Sequence, residues 1–312
     1  MAYHIFTFPR AFAIARVSIY NGQHYVVSHR ERPIVNSVID LHCHTTASDG
    51  SLSPSALVER ALERGIKTLA ITDHDTLEGF RQARAVAAEN DLTLIPGIEL
   101  SCVWGGATIH IVGLNMDVDS PAMKEAEAVQ LKARQERCVV IAERLSKKLN
   151  QDVSIEEVRQ YAGSDIVGRP HFARYLVDKG WVPSMQVAFN KYLGAGKPGD
   201  VKTSWPELAQ VVRWIVEAGG TAVMAHAHLY KMTRTKLRAC MADFVEAGGT
   251  AMEVAYGQMD NNQRGQMATL AKDLELMGSC GSDFHGPNRF GLDLGVMPDF
   301  PKDIVPVWTQ WQ

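Results

Sequence analysis

Nine side chains of the kinds that hold metal ions are spaced along this chain in a register with its apolar runs. They are His42, His44, Asp49, His74, Glu99, His110, His226, Asp283 and His285, which include six of the eleven histidines. Most follow a short apolar run that reads as a β-strand, and that register constrains the fold more than any other feature. In residues 38–44 a period of two puts His42 and His44 on one face of a strand and Leu41 and Cys43 on the other. Imidazoles and carboxylates from separate strands meet when the strands bring one set of ends to a common pole, as in a (β/α) barrel. Taken singly, each candidate is weak. A lone histidine is more often a hydrogen-bonded core residue, and Asp49 within Ser48-Asp49-Gly50 also suits a turn. Recurrence after successive strands makes the set strong. A carboxylate buried at Glu99 also costs several kcal/mol unless a cation meets it.

The text between these residues supports the same architecture. Strands are expected over 38–44, 68–74, 92–100, 108–114, 221–225, 251–255 and 278–282, separated by helical patterns. Ser53-Pro54 supplies an N-cap and an N1 proline, and Gly65 a C-terminal stop. This predicts an α/β fold, a seven-stranded barrel spanning residues 37–116 and 201–312. Residues 117–200 break the rhythm. A helix opening at Ser120-Pro121 runs to about Leu149, a capping box (Ser154 to Glu157) follows, and two short helices come next. They read as an inserted, mainly helical subdomain over the barrel mouth. Residues 1–36 show no clear period and read as an N-terminal extension outside the fold.

The remaining bulk properties exclude several classes. A net charge of -3 and a pI near 6.4 argue against a broad basic surface for double-stranded DNA. The five cysteines are odd in number and contain no C-x-x-C pair, which suits a reducing compartment such as the cytoplasm. No apolar run reaches the length of a membrane span, and the start of the chain lacks a secretory-signal pattern. The sequence does not indicate an oligomeric state.

Histidine and carboxylate ligands without thiolates suit manganese, iron or zinc. Nine of them hold three ions if one carboxylate bridges two. Closely spaced ions activate water and stabilise the attacking and leaving oxygens of a phosphoester.

Asp40-Leu-His-Cys-His44, Ser48-Asp49-Gly50, Thr72-Asp-His-Asp75, Gly97-Ile-Glu99 and Gly281-Ser-Asp-Phe-His285 together resemble the signature of the PHP (polymerase and histidinol phosphatase) domain family. Stretches beginning at His110, Arg169 and Lys191 are similar to the bacterial subgroup of nucleoside 3′,5′-bisphosphate phosphatases and 5′-to-3′ exoribonucleases (ribonuclease AM). The resemblance implies a distorted, TIM-like (β/α)7 barrel with three divalent ions, commonly manganese. One ion would take His42, His44, Glu99 and Asp283. A second would share Glu99 and take His110 and His226, and a third would take Asp49, His74 and His285. Glu99, Asp283, His285 and His226 would carry the catalytic roles, with a metal-activated hydroxide attacking phosphorus. The implied reactions are removal of the 3′-phosphate from nucleoside 3′,5′-bisphosphates and stepwise 5′-to-3′ hydrolysis of short 5′-monophosphorylated RNA. Other phosphatase or cyclic phosphodiesterase activities of the family stay open, as does a non-catalytic metal- or nucleotide-binding module.

For the substrate's second phosphate the insertion offers Arg169, His171, Arg174 and Lys197, with Arg169 and His171 the preferred pair. The chain departs from the subgroup after the fifth strand. Ala225-His-Ala-His-Leu-Tyr230 replaces a usual Ala-His-Pro-Gly-Arg-Tyr, which retains His226 and substitutes Leu229 for an arginine. His228 becomes an additional polar candidate for the phosphate, with a surface-loop position as its alternative.

Overall fold

The computed structural model describes residues 17–20, 23–26, 35–202, 205–287 and 292–311. The chain divides into two units, residues 1–34 and 35–312. In the first, Val17–Tyr20 and Gln23–Val26 pair antiparallel. The rest of the expected extension up to residue 34 lies outside the described residues. Val35 and Asn36 belong to the second unit, where they pair with Val296 and Met297.

The second unit is built on seven strands in sequence order around one sheet: β1 (Ile39–Asp40), β2 (Thr68–Ile71), β3 (Thr93–Trp104), β4 (Ala107–Leu114), β5 (Thr221–Met224), β6 (Ala251–Tyr256) and β7 (Met277–Gly281). The β7 edge meets β1. Leu41 N–H donates to Cys280 O at 3.0 Å and Asp283 N–H to His42 O at 2.8 Å, so the barrel is nearly closed. All seven expected strands are present.

Two expectations need correcting. The expected alternation of strand and helix fails at one place, because β4 runs antiparallel to both β3 and β5. Only Gly105 and Gly106 separate β3 from β4, at φ of 53° and 75°, and two residues in that conformation make a hairpin where a crossover helix has no room. Glu99 therefore lies inside the twelve-residue β3, and His110 inside β4, instead of at strand ends. The first strand is also shorter than predicted. Buried Asp40 accepts from the backbone N–H groups of His42, Ser282 and Gly295, replacing ladder partners where the chain leaves the sheet.

Helices α1 (Pro54–Glu63) and α2 (Glu78–Ala88) cover one side. Ser53 caps α1 by accepting from Ala56 N–H, and Leu57, Val58 and Ala61 bury its inner stripe with Cys43 and Leu69. Cys43 thus faces the outer helices, whereas Leu41, which the alternation puts on the same face, packs with Ala70, Val112 and Val223.

The insertion comprises α3 (Pro121–Leu149), α4 (Ile155–Arg159), α5 (Arg169–Asp178) and α6 (Met185–Ala188), the last continuing into a π-helical turn, Phe189–Leu193. It has its own core of Ile141, Leu145, Val158, Phe172 and Leu176. The first turns of α3 instead bury Met123 and Ala126 in the barrel core beside Trp214. At 29 residues α3 is about 44 Å long, enough to belong to both. The capping box is only half made. Ser154 accepts from Glu157 N–H, but the Glu157 carboxylate accepts from Tyr175 Oη and pairs with Lys179, which ties α4 to α5. Helices α7 (Leu208–Glu217), α8 (Arg234–Glu246) and α9 (Asn261–Asp273) complete the outer layer. Among the described residues no helix is long and apolar enough to cross a membrane.

Candidate metal centre

Each of the nine ligand-type residues reaches one pole of the barrel by a local device. His42 and His44 leave β1 two residues apart. The loop behind them is held by Asp73, which accepts from Thr45 N–H, Thr45 Oγ1 and Ser48 Oγ at 2.6–2.7 Å and so presents Asp49. Gly50 sits against His44, and a Cβ there would lie 2.3 Å from its carbonyl oxygen. His74 follows β2. Its neighbour Asp75, at φ 57°, accepts from Ser101 N–H and from Arg134 Nε. His226 and Asp283 leave β5 and β7 at φ of 31° and 53°, a strained region for residues other than glycine.

Glu99 lies at the centre. Its Oε2 is 3.5 Å from His42 Nε2, 3.4 Å from His44 Nε2 and 2.8 Å from His74 Nδ1. Its Oε1 is 2.9 Å from His110 Nδ1 and 3.0 Å from His226 Nε2. Asp283 Oδ1 stands 3.4 Å and 3.1 Å from the same nitrogens of His42 and His44. His285 Nε2 is 3.2 Å from Asp49 Oδ1, and His74 Nε2 is 3.9 Å from Asp49 Oδ2. The structure thus brings all nine together.

These groups fit divalent cations better than they fit one another. His42 Nε2, both ring nitrogens of His44, Asp49 Oδ1, His74 Nδ1 and Glu99 Oε2 are buried and make no hydrogen bond of good direction, although opposite charges stand within a few ångströms of them. Such orphaned donor atoms are costly unless a cation joins them. Three groups have ligand atoms close enough to share an ion: His44, Asp49, His74 and His285; His42, His44 and Asp283; and His74, Glu99 and His110. Electrostatics agree. Burial pushes the Glu99 carboxyl up, yet the surrounding His74, His110 and His42 hold it well below the usual range. Burial, with His285 and His74 nearby, takes His44 down to about 3, so its nitrogens are free to bind.

Several residues at the site escape sequence reasoning. Glu253 is 1% exposed, accepts His42 Nδ1–H at 2.7 Å, and accepts His226 N–H at 2.5 Å. It therefore turns His42 Nε2 toward Glu99. Its signal is a lone charge in the apolar run Ala251–Tyr256. Tyr256 Oη donates to Asp283 Oδ2 at 2.6 Å. Arg134 and Arg137, both 5% exposed on α3, each place a guanidinium over the Trp205 ring, at 5.4 and 5.2 Å from its centroid. Arg134 pairs with Asp75, whereas Arg137 donates Nε–H to the Val201 carbonyl and, among the described residues, forms no ion pair. Burial, together with Arg169 and Arg134, pulls the Arg137 pKa down to about 9. Helical arginines read by default as a solvated face, so nothing in the local text distinguishes these two.

The expected phosphate contacts are placed unevenly. Arg169 opens α5 and donates to Leu193 O at 3.1 Å, with Asp200 4.0 Å away. His171 is buried. It accepts Gly168 N–H at Nδ1, and burial takes its pKa down to about 4. Arg174 is half-buried nearby, and Lys197 stands exposed on the loop 194–200. His228 is half-buried in the turn Ala227–Leu229. Both ring nitrogens are enclosed without partners, and the ring meets Tyr256 edge-on at 4.9 Å.

Comparison with known proteins agrees with this geometry. The PHP domain profile matches residues 40–178. The 5′-3′ exoribonuclease Rnm of Escherichia coli K12 is 44% identical over 88% of this chain and 94% of its own length. The 3′,5′-nucleoside bisphosphate phosphatase of Chromobacterium violaceum is 39% identical over 87% of this chain and 95% of its own. A solved amidohydrolase structure from Chromobacterium violaceum, with bound sulfate and no metal, superposes with a TM-score of 0.81. It shares 38% identity over 88% of this chain and 95% of that one.

Proposed function

The chain belongs to the PHP domain family and is a metal-dependent phosphoester hydrolase, and from that premise we propose that it acts on nucleotides carrying a second phosphate. Its substrates are nucleoside 3′,5′-bisphosphates, cleaved at the 3′-phosphate, and short 5′-monophosphorylated RNA, shortened from the 5′ end. The observation that carries this reading is the arginine cluster beside the metal centre, in which Arg134 and Arg137 are buried and Arg169 is half-buried. Arg169 and Arg134 both act on the ionisation of Arg137, Arg134 acts on that of Arg169, and among the described residues Arg137 forms no ion pair with a carboxylate. Three guanidinium groups in so enclosed a place favour an anion, and a phosphate satisfies their forked donors.

The cluster lies along the Asp49–His74 flank. Arg134 is close enough to act on His74, and Arg169 is close enough to feel Asp49. The insertion is fastened to that flank by Ser164 Oγ, which donates to Ala47 O at 2.6 Å. A phosphate gripped there sets the distance to the scissile bond, which makes the 5′ end the reference point.

Three divalent ions, with manganese first, are assigned as before: His42, His44, Glu99 and Asp283; Glu99, His110 and His226; Asp49, His74 and His285. Ions so spaced supply Lewis-acid activation of water and charge stabilisation at phosphorus. The chain's own part is to hold Glu99 ionised among five imidazoles, orient His42 through Glu253 and fix Asp283 through Tyr256.

The test is a substrate panel with added manganese, comparing adenosine 3′,5′-bisphosphate with adenosine 3′-phosphate. The expected result is a kcat/KM at least about 100-fold higher for the bisphosphate, near 3 kcal/mol for a buried charge-assisted contact. Equal rates for the two would refute the role of the second phosphate.

A further inference from the structure

We propose that a groove running from the metal pole along α9 binds the single-stranded RNA that lies 3′ of the scissile bond. This rests on the exoribonuclease reading above.

The groove begins where a departing strand would emerge. The insertion's arginines occupy the Asp49–His74 flank, so a 5′-phosphate held there leaves the rest of the strand to continue past the metals toward His226 and Asp283. Both helices that line the groove start on that side. The chain passes from the Ala227–Leu229 turn to Arg234 at the start of α8. It also passes from Tyr256, bonded to Asp283, to Asp260, the N-cap of α9. Asp260 lies close enough to His228 for its charge to act on that ring.

Two depressions follow, of about 370 and 450 Å3, and they are contiguous because Gly265 and Thr269 line both. The first presents Arg234, Asn261, Asn262 and Gln266, and the second adds Arg264, Lys272 and Lys302. Of the two acids there, Asp303 is taken up by Lys272, and Arg264 meets Asp299 only at its backbone carbonyl. The lining is thus donor-rich and positive within a chain of net charge -3.

Gly265 sharpens the case. It sits inside α9, and a Cβ there would meet nothing within 4 Å. Stability alone would favour alanine by about 1 kcal/mol. The bare helix backbone instead lets a ligand chain approach closely at the junction of the two depressions. Cations and amides along about 20 Å of helix suit a sugar–phosphate backbone, read without regard to sequence.

The experiment measures kcat/KM for adenosine 3′,5′-bisphosphate and for 5′-phosphorylated oligoribonucleotides of about two to about eight nucleotides. It compares the wild type with a variant carrying Arg234→Ala, Arg264→Ala and Lys302→Ala together. In the wild type, kcat/KM rises with length by about 10-fold. In the variant the rise vanishes, bisphosphate turnover stays within about 2-fold, and the salt slope on RNA falls by roughly 0.7 per lost phosphate contact. Gly265→Glu, which fills the open floor with negative charge, produces the same selective loss. No gain with length in the wild type, or a gain retained by both variants, would overturn the proposal while leaving bisphosphate hydrolysis intact. Turnover of neither substrate by the wild type would overturn the activity reading itself.

Discussion

Replacing Glu253 with glutamine isolates the residue that aims two of the nine ligands. Its carboxylate is buried and accepts from two donors, His42 Nδ1–H at 2.7 Å and His226 N–H at 2.5 Å. Glutamine keeps the shape but has one acceptor oxygen and an amide that only donates. One donor is then left facing another, at a cost of about 1–3 kcal/mol, and the surviving bond loses its charge, a further ~1 kcal/mol. We therefore expect Glu253→Gln to destabilise the metal-free protein by about 2–4 kcal/mol. Because His42 is freed to rotate or to change tautomer, manganese affinity should fall about 10- to 100-fold. Urea unfolding of the chelator-treated protein reads the first effect, and calorimetric metal titration reads the second. Wild-type metal affinity together with a stability loss below about 0.5 kcal/mol would refute the reasoning, since neither bond could then be orienting a ligand.

Three further outcomes follow from the same geometry. Arg137→Leu removes a buried cation that forms no ion pair among the described residues, so KM for the 3′,5′-bisphosphate should rise about 10-fold or more while urea stability holds or improves; a lower stability with unchanged KM would contradict the anion-binding role. His171 keeps a pKa of about 4 in the fold against 6.5 unfolded. The unfolded state thus binds more protons between those values, and up to about 3 kcal/mol of stability is lost as pH falls from 6.5 through 4; His171→Gln should flatten that part of the pH profile, measured by denaturant midpoints. Gly281→Ala places a Cβ 2.2 Å from that of His42 at the β1–β7 seam, so it should cost about 1–3 kcal/mol and weaken metal binding; unchanged melting and metal titration would count against a tightly closed seam.

Much of the site was legible because its cues are local. The strand period points to His42 and His44 as a pair, although both lie just beyond β1, where backbone bonds to Asp283 and Phe284 hold them. Ser53-Pro54 marks a helix start by chemistry confined to one turn, and Ser120-Pro121 does the same. The reversal of β4 was also written locally, in Gly105-Gly106, but an expected β/α alternation hides it. Its consequence is that Glu99 and His110 reach the pole from inside two hairpin strands.

Other features have no local cue. Arg134 and Arg137 have the same sequence appearance as Lys132 and Glu136, which are exposed on the same helix. Only the packing of Trp205 and the insertion against α3 removes the arginines from water. His228 reads as a loop histidine, and only the fold sets its ring against Tyr256 with both nitrogens enclosed.

The amino-acid order by itself thus determined the inventory: seven strands, an inserted helical segment and nine groups able to hold metal. Periodicity and capping act over a few residues and are carried by neighbours in the chain. Tertiary structure alone decided which charges are stripped of water and what they face: Glu99 among five imidazoles, Glu253 behind His42, and Arg137 over the ring of Trp205. Desolvation and pairing depend on atoms far apart in sequence, so the chemistry of the site emerges only when the barrel closes.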